Sequence, residues 1–147
     1  MFSGKYERTL DQKRRLMIPP KYRHSFSDSA EQVGFHITVG LDPCLTFYTP
    51  KRWNELLQNS IQQQSFPSQK SRNFIRNFLG QAEYCELDKQ HRILLPTRLL
   101  ESVGIAEEVV LAGVGDHIEL WDAEKFHEWE SKLSAEGLEQ GAQELNR

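Results

Sequence analysis

The sequence LDQKRRLMIP at residues 10–19 recurs in outline as LDKQHRILLP at residues 87–96. A shift of 77 residues, from Leu10 to Leu87, superimposes the two stretches, and both follow the pattern L-D-x-x-x-R-φ-φ-φ-P, in which φ is apolar. An internal repeat indicates that one structural unit occurs twice. In each copy we predict a strand, a tight turn at D-x-x-x-R, and a second strand that proline ends, because proline has no amide hydrogen for strand pairing.

The similarity continues beyond the prolines with a shift of 73 residues, from Leu45 to Ile118. This shift aligns five apolar residues of the first copy with five of the second: Leu45, Phe47, Tyr48, Trp53 and Leu56 with Ile118, Leu120, Trp121, Phe126 and Trp129. Each copy is therefore predicted to continue with a short helix, two buried strands and an amphipathic helix. The buried strands are expected at residues 32–39 and 44–48, and again at 108–114 and 117–121.

The closing helix of each copy carries apolar residues at helical spacing. Thr49 and Asp122 are suitable N-caps, and the apolar residues are Trp53, Leu56, Leu57 and Ile61 in the first helix and Phe126, Trp129 and Leu133 in the second. We expect the aromatic side chains among them, Trp53, Phe126 and Trp129, to belong to the core rather than to a ligand cage. A polar linker and a basic amphipathic helix over residues 70–79 are expected between the copies.

These elements divide the chain into four segments of a mainly β, α+β protein with short helices. The first module is expected to span residues 1–62 and the second module residues 81–134. Residues 63–80 form the linker and the basic helix, and residues 135–147 an acidic, flexible tail.

Charge is distributed unevenly along the 147 residues, although the net charge is only −3. Residues 1–25 contain seven basic and two acidic side chains, whereas residues 77–147 contain six basic and fifteen acidic ones. The basic segment is the candidate surface for a polyanion, because binding depends on charges near the phosphates rather than on the total. The length excludes a large multidomain enzyme. Without an apolar run long enough to cross a bilayer, we expect a soluble, intracellular protein with no membrane partner.

The D-x-x-x-R turn places an aspartate and an arginine on either side of a three-residue loop. Asp11 and Arg15 in the first turn, and Asp88 and Arg92 in the second, can form a charge-assisted hydrogen bond across the neck of a hairpin. We expect Asp11, Asp88 and Arg92 to shape the hairpins.

The first turn differs from the second in its concentration of cations. Lys13, Arg14 and Arg15, supported by Arg8, lie at the tip and on the predicted outer face of the hairpin. A two-stranded ribbon fits the major groove of DNA. This turn is therefore the predicted nucleic-acid contact, with Arg8 and Arg15 facing outward.

Two other classes of function are weaker alternatives. Cys85, Asp88 and His91 lie close in sequence and could form a small thiol hydrolase site, but His91 occupies a turn position that holds Arg14 in the first copy. The acidic second half could instead bind a partner protein, as an antitoxin does. The cysteines and histidines show no metal-ligand spacing, so we expect no metal site.

With these motifs, the sequence resembles the MraZ family of bacterial transcriptional regulators, which consist of two AbrB/SpoVT-type swapped-hairpin modules. The resemblance covers about residues 1–133. It rests on Met1-Phe2-x-Gly4, both D-x-x-x-R turns, Pro19 and Pro96, Pro43-Cys44-Leu45 with Tyr48, and residues 119–122. The family commonly has glycine immediately before each turn arginine, where this chain has Arg14 and His91.

The resemblance implies a double swapped-hairpin β-barrel and a homo-oligomeric ring in the cytoplasm, associated with the nucleoid. It also implies repression at repeated DNA boxes upstream of the protein's own division and cell-wall gene cluster. On this hypothesis Arg15 reads a base edge, since arginine matches guanine bidentately, and Lys13, Arg14 and Arg8 contact phosphates. We expect no enzymatic activity, no cofactor and no small-molecule substrate.

Overall fold

The two halves of the chain form the same series of strands and helices in a computed structural model, which describes residues 1–24, 34–61 and 68–146. The first half contains β1 (Lys5–Thr9), β2 (Arg15–Met17), α1 (Pro20–Arg23), β3 (Gly34–Val39), β4 (Leu45–Tyr48) and α2 (Pro50–Glu55), which continues as a π-helix (Leu56–Ile61). After α3 (Gln69–Gly80), the second half contains β5 (Glu83–Glu86), β6 (Arg92–Leu94), α4 (Thr97–Ser102), β7 (Glu108–Gly113), β8 (Ile118–Asp122), α5 (Ala123–Ser131) and α6 (Ala135–Leu145). The predicted α+β class and element order are confirmed; residues 32, 33 and 62–67 of the predicted strand and linker lie outside the described residues.

Each of the eight described strands pairs with a strand of the other half. A six-stranded antiparallel sheet has the order β1-β7-β8-β4-β3-β5, and β2 pairs with β6 in a separate two-stranded ribbon. The pairs β1–β7, β4–β8, β3–β5 and β2–β6 all join the two halves. The two halves therefore share one fold. No closed barrel is found in the described part of the chain, because β1 and β5 remain the edges of the sheet.

The predicted ribbon of β1 and β2 does not form as a ladder. The two strands approach only at the turn, where the amide of Asp11 donates to the carbonyl of Arg15 at 3.1 Å, and then enter different sheets. β1 thereby pairs over five residues with β7, which is more than the three-residue β2 could provide.

The six-stranded sheet is covered on both faces, which explains the almost continuous apolar character of its central strands. Phe35, Ile37 and Leu111 point to a face where they meet Leu16 and Ile93 of the ribbon in the main core. The opposite face carries two smaller clusters, built around Trp53 with Phe78 and around Trp121 with Phe126. Alternate residues of one strand thus enter different cores.

Three expectations about individual residues were wrong. Arg8 lies on the same, more buried face of β1 as Tyr6, while Lys5, Glu7 and Thr9 are exposed. This orientation follows because β1 pairs with β7 and turns the Tyr6 side toward the ring of Tyr22. Trp129 is 44% exposed, since α5 buries only its Phe126 side against the sheet. Leu133, expected on the same helix, lies beyond its end at Ser131.

The acidic tail forms a regular helix, α6, where the sequence analysis expected a flexible segment. Its N-cap is Ser134, whose hydroxyl accepts a hydrogen bond from the amide of Gly137 at 3.0 Å. The helix has no buried residue.

Candidate nucleic-acid interface

The first turn is held together by the Asp11 carboxylate. One oxygen accepts hydrogen bonds from the amides of Lys13 and Arg15, each at 2.9 Å, and the other accepts from Arg15 Nε at 2.6 Å. The backbone hydrogen bond from Arg15 is the largest cause that keeps the pKa of Asp11 below its ordinary value. The carboxylate thereby fixes the loop and the start of the Arg15 side chain.

The second turn repeats this arrangement atom for atom. Asp88 accepts from the amides of Gln90 and Arg92 at 2.8 and 2.9 Å, and from Arg92 Nε at 3.0 Å. The hydrogen bond from the Arg92 amide is again the largest cause that lowers the pKa of Asp88. The structure therefore brings both predicted aspartate and arginine pairs together.

Each loop ends in a left-handed residue that connects the two turns. Arg14 has φ 65° and His91 has φ 64°. In this conformation the carbonyl of Arg14 accepts from the amide of Leu95 at 3.0 Å, and the carbonyl of His91 accepts from the amide of Ile18 at 3.1 Å. These reciprocal bonds extend the β2–β6 ribbon at both ends, so the conformation is retained although it costs a non-glycine residue about 1 kcal/mol.

The ribbon has one buried and one outward face. Leu16 and Ile93 are fully buried on the inner face. In the register, Arg15 lies opposite Leu94 and Met17 lies opposite Arg92, so these four residues share the outward face. Two arginines therefore stand diagonally on one face, in a near two-fold arrangement of the two halves.

The four predicted DNA-contacting cations differ in their surroundings. Lys13 is exposed at the tip of its turn. Arg14 donates from Nη1 to the carbonyl of Ala106 at 2.6 Å, and Arg8 donates to the carbonyl of Glu7 and lies over the ring of Tyr6. Arg15 is partly buried and tied to Asp11 through Nε. Among the described residues, no acceptor within hydrogen-bond distance is found for its two Nη atoms.

Arg14 also lies next to acidic groups of the second half. A surface hollow of about 390 Å³ is lined by Arg14 together with Glu107, Glu108, Asp122 and Glu124. Since these carboxylates offset its charge, Arg14 contributes less to an anion-binding surface than its sequence position indicates.

The sequence predicts Arg92 only as a hairpin-shaping residue, yet the ribbon places it on the same face as Arg15. Local periodicity does not identify the strand that pairs with β2. The 77-residue repeat was the available signal, since two equal hairpins can pair with each other.

The alternative thiol site is not supported by the environment of its cysteine. Cys85 is buried, and burial raises its pKa to about 11, so the group is a thiol rather than a nucleophilic thiolate at neutral pH. Burial raises the pKa of Cys44 as well. No cluster of three metal-binding side chains occurs within residues 1–24, 34–61 and 68–146. Across those ranges, no helix is both long and apolar enough to cross a membrane.

Comparisons with known proteins match almost the whole chain. A family model described as "MraZ protein, putative antitoxin-like" matches twice, over residues 1–77 and 78–146. The chain is 37% identical over 129 residues to a protein of Carboxydothermus hydrogenoformans, and 40% identical over 129 residues to one of Moorella thermoacetica; each alignment covers 88% of this chain and 86% of the relative. A Clostridium acetobutylicum protein is 35% identical over 146 residues, or 99% of both chains. All three relatives are named transcriptional regulator MraZ.

Proposed function

Because this chain belongs to the MraZ family, we propose that it is a non-enzymatic regulator of transcription that binds specific sequences in double-stranded DNA. The observation that carries this proposal is the outward face of the β2–β6 ribbon, which carries Arg15 and Arg92, together with the exposed Lys13 in the turn that precedes Arg15. A ribbon of this kind is narrow enough for the major groove, which presents a distinct hydrogen-bonding pattern for each base pair.

Arg15 is the proposed base-reading residue. Its Nε is held by Asp11, so the guanidinium is oriented before DNA arrives while both Nη atoms remain available. Two parallel N–H donors match the O6 and N7 acceptors of guanine. Asp11 shapes the first hairpin, as Asp88 with Arg92 shapes the second. Because Arg15 is ordered before DNA binds, its contact with a base has a smaller entropic cost.

Lys13, Arg14 and Arg8 are proposed to contact phosphates. Lys13 and Arg14 are exposed and Arg8 is partly buried, and Arg14 must exchange the Ala106 carbonyl for a phosphate oxygen. Phosphate contacts set the position of the protein on the duplex and make affinity depend on salt.

We further propose that the cross-paired strands represent the swapped-hairpin form of two AbrB/SpoVT-type modules, and that several copies assemble into a ring at the nucleoid in the cytoplasm. The exchange of strand partners between the halves supports the first part. A ring would present several hairpins to repeated boxes upstream of the protein's own division and cell-wall gene cluster, and linked weak contacts would then act together in repression.

The test is a gel-shift titration on the DNA upstream of the protein's own gene. Arg15→Ala should weaken specific binding about 5- to 150-fold per engaged copy, the equivalent of the ~1–3 kcal/mol that a bidentate base contact contributes. Arg15→Lys, the matched control, should retain non-specific binding but lose discrimination, because the flexible lysine ammonium lacks the planar guanidinium that Asp11 orients. A folded Arg15→Ala protein with wild-type operator affinity would contradict this role.

The words "antitoxin-like" in the family description favour one second candidate function, a module whose acidic second half binds a partner protein. The same titration separates the two proposals. A regulator must retard its own upstream DNA at moderate salt, whereas a module that only binds protein leaves that DNA unshifted.

A further inference from the structure

The last helix, α6, buries no residue against the described part of the chain although it is amphipathic. Leu138, Ala142 and Leu145 recur at spacings of four and three and form an apolar stripe, and Leu138 and Leu145 are 58% and 87% exposed. The helix has 11 residues and contains Gly137 and Gly141. An isolated helix of this length with two glycines is marginal in water, so its stability calls for a surface that covers the stripe.

A groove of matching character runs along α3. The cavity, about 800 Å³, is lined on one side by Lys70, Phe74, Ile75 and Phe78 of the helix. Tyr48 and Leu56 add apolar surface. Phe74 is 42% exposed although it stacks on Phe78, with ring centroids 5.5 Å apart. The groove therefore displays aromatic surface to solvent.

The charges of the two helices are opposite and equal. Within Gln69–Gly80, α3 carries Lys70, Arg72 and Arg76 and no acidic residue, and within Ala135–Leu145, α6 carries Glu136, Glu139 and Glu144 and no basic residue. At 100° per residue, Glu139 borders the apolar stripe of α6 on the side of Ala142, and Lys70 borders the apolar side of α3 next to Phe74. The far wall of the groove carries Asp42 and Glu119. A helix that enters the groove with Glu139 toward α3 brings this carboxylate to Lys70 and keeps it away from Asp42 and Glu119.

We infer that α6 of one copy docks into the α3 groove of a neighbouring copy and thereby links the subunits of the oligomer. This inference rests on the proposed assembly of several copies and names the contact that holds it. Helix and groove are different surfaces of one chain, so the contact is heterologous and closes into a ring when the rotation between neighbours permits. The occupied groove would be a helix-in-groove interface.

The test measures the mass of the full chain in solution by light scattering after size exclusion. Leu138→Asp in the helix and Phe74→Asp in the groove should each reduce the oligomer to smaller species. Gln140→Asp, the matched control, adds the same side chain to the polar face of α6 and should leave the mass unchanged. Circular dichroism must show that each variant remains folded.

Mixing the two disruptive variants distinguishes a neighbour's groove from the chain's own. One chain then contributes an intact groove and the other an intact helix, so a heterodimer of twice the 17.1 kDa chain mass should form. Lys70→Glu should likewise weaken assembly, and adding Glu139→Lys should restore it. An unchanged oligomer in both folded variants, or no heterodimer on mixing, would overturn the inference. Gel shifts on the same samples test DNA binding separately, so either proposal can fail alone.

Discussion

At the scale of single residues, the left-handed backbone of Arg14 and His91 is unfavourable locally but allows each carbonyl to accept a hydrogen bond from the opposite hairpin. Both carbonyls pair with the opposite hairpin only because φ is positive at these positions. The two residues differ in their side chains, since Arg14 donates to Ala106 whereas His91 is exposed at its turn. His91 is therefore the position where the backbone cost can be measured most directly.

We predict that His91→Gly stabilises the protein. Glycine adopts this φ without steric penalty, so the free energy of unfolding should rise by about 1 kcal/mol. His91→Ala removes the same side chain but retains the unfavourable backbone, and it should give no gain. Urea denaturation of the three proteins provides the measurement, and equal stability of the glycine and alanine variants would contradict the prediction.

At the scale of elements, the β2–β6 ribbon depends on two carboxylates that must be ionised. The pKa values of Asp11 and Asp88 both lie below their ordinary value of 3.8 in the folded protein, chiefly because a backbone amide donates to each. The unfolded chain therefore binds protons first as the pH falls. The stabilisation is fully present above about pH 4 and is lost as the pH decreases through the folded pKa values.

The double variant Asp11→Asn, Asp88→Asn should reveal this dependence. The difference in unfolding free energy between wild type and variant should be constant between about pH 5 and 7, and it should shrink as the pH falls below about 4. The reason is that protonation removes the negative charge of the carboxylate. Asparagine lacks this charge at every pH, so wild type and variant become more alike in acid. Chemical denaturation at several pH values gives the measurement, and a pH-independent difference would show that the carboxylate charge does not stabilise the ribbon.

At the scale of the whole molecule, the halves differ in charge more than in fold. The first turn carries Lys13, Arg14 and Arg15, and the second carries Lys89, His91 and Arg92. The second turn lies within residues 77–147, which have nine more acidic than basic side chains. We therefore expect the first turn to provide most phosphate contacts, although the ribbon places Arg15 and Arg92 on one face.

The salt dependence of operator binding tests this asymmetry. Lys13→Gln with Arg14→Gln should flatten the slope of log K against log salt by ~0.9 per lost phosphate contact per engaged subunit, because fewer counterions are released. Lys89→Gln, the matched control from the second turn, should hardly change the slope. Equal flattening from both, at unchanged oligomer mass, would show that the two modules share the DNA.

The shared sheet predicts that neither half folds as a monomer. Residues 1–80 lack the partners of β1 and β2, and residues 81–147 lack those of β5 and β6. Circular dichroism and size exclusion of each half should show an unfolded chain or an assembly of several copies. Mixing should yield a folded 1:1 complex, and a folded monomeric half would contradict the prediction.

The sequence alone determined the features that depend on neighbouring residues. The repeat, the two D-x-x-x-R turns, the proline strand ends and the Thr49 cap all follow from local backbone chemistry, and the structure contains each of them. The Asp11–Arg15 and Asp88–Arg92 pairs were predictable for the same reason, since a spacing of four across a tight turn leaves little conformational choice.

Only the tertiary structure decided which strands pair and which faces remain open. Strand periodicity is compatible with β1 pairing either with β2 or with β7, because the pattern of one strand carries no information about its distant partner. The pairing of β1 with β7 turns Arg8 toward the side of the sheet that Tyr22 covers, and the pairing of β2 with β6 places Arg92 on the same face as Arg15. The tertiary packing also leaves Trp129 and α6 exposed. Strand pairing depends on the whole chain because the two halves bury their apolar faces only by exchanging strands. The free energy of that burial exceeds what either hairpin gains alone.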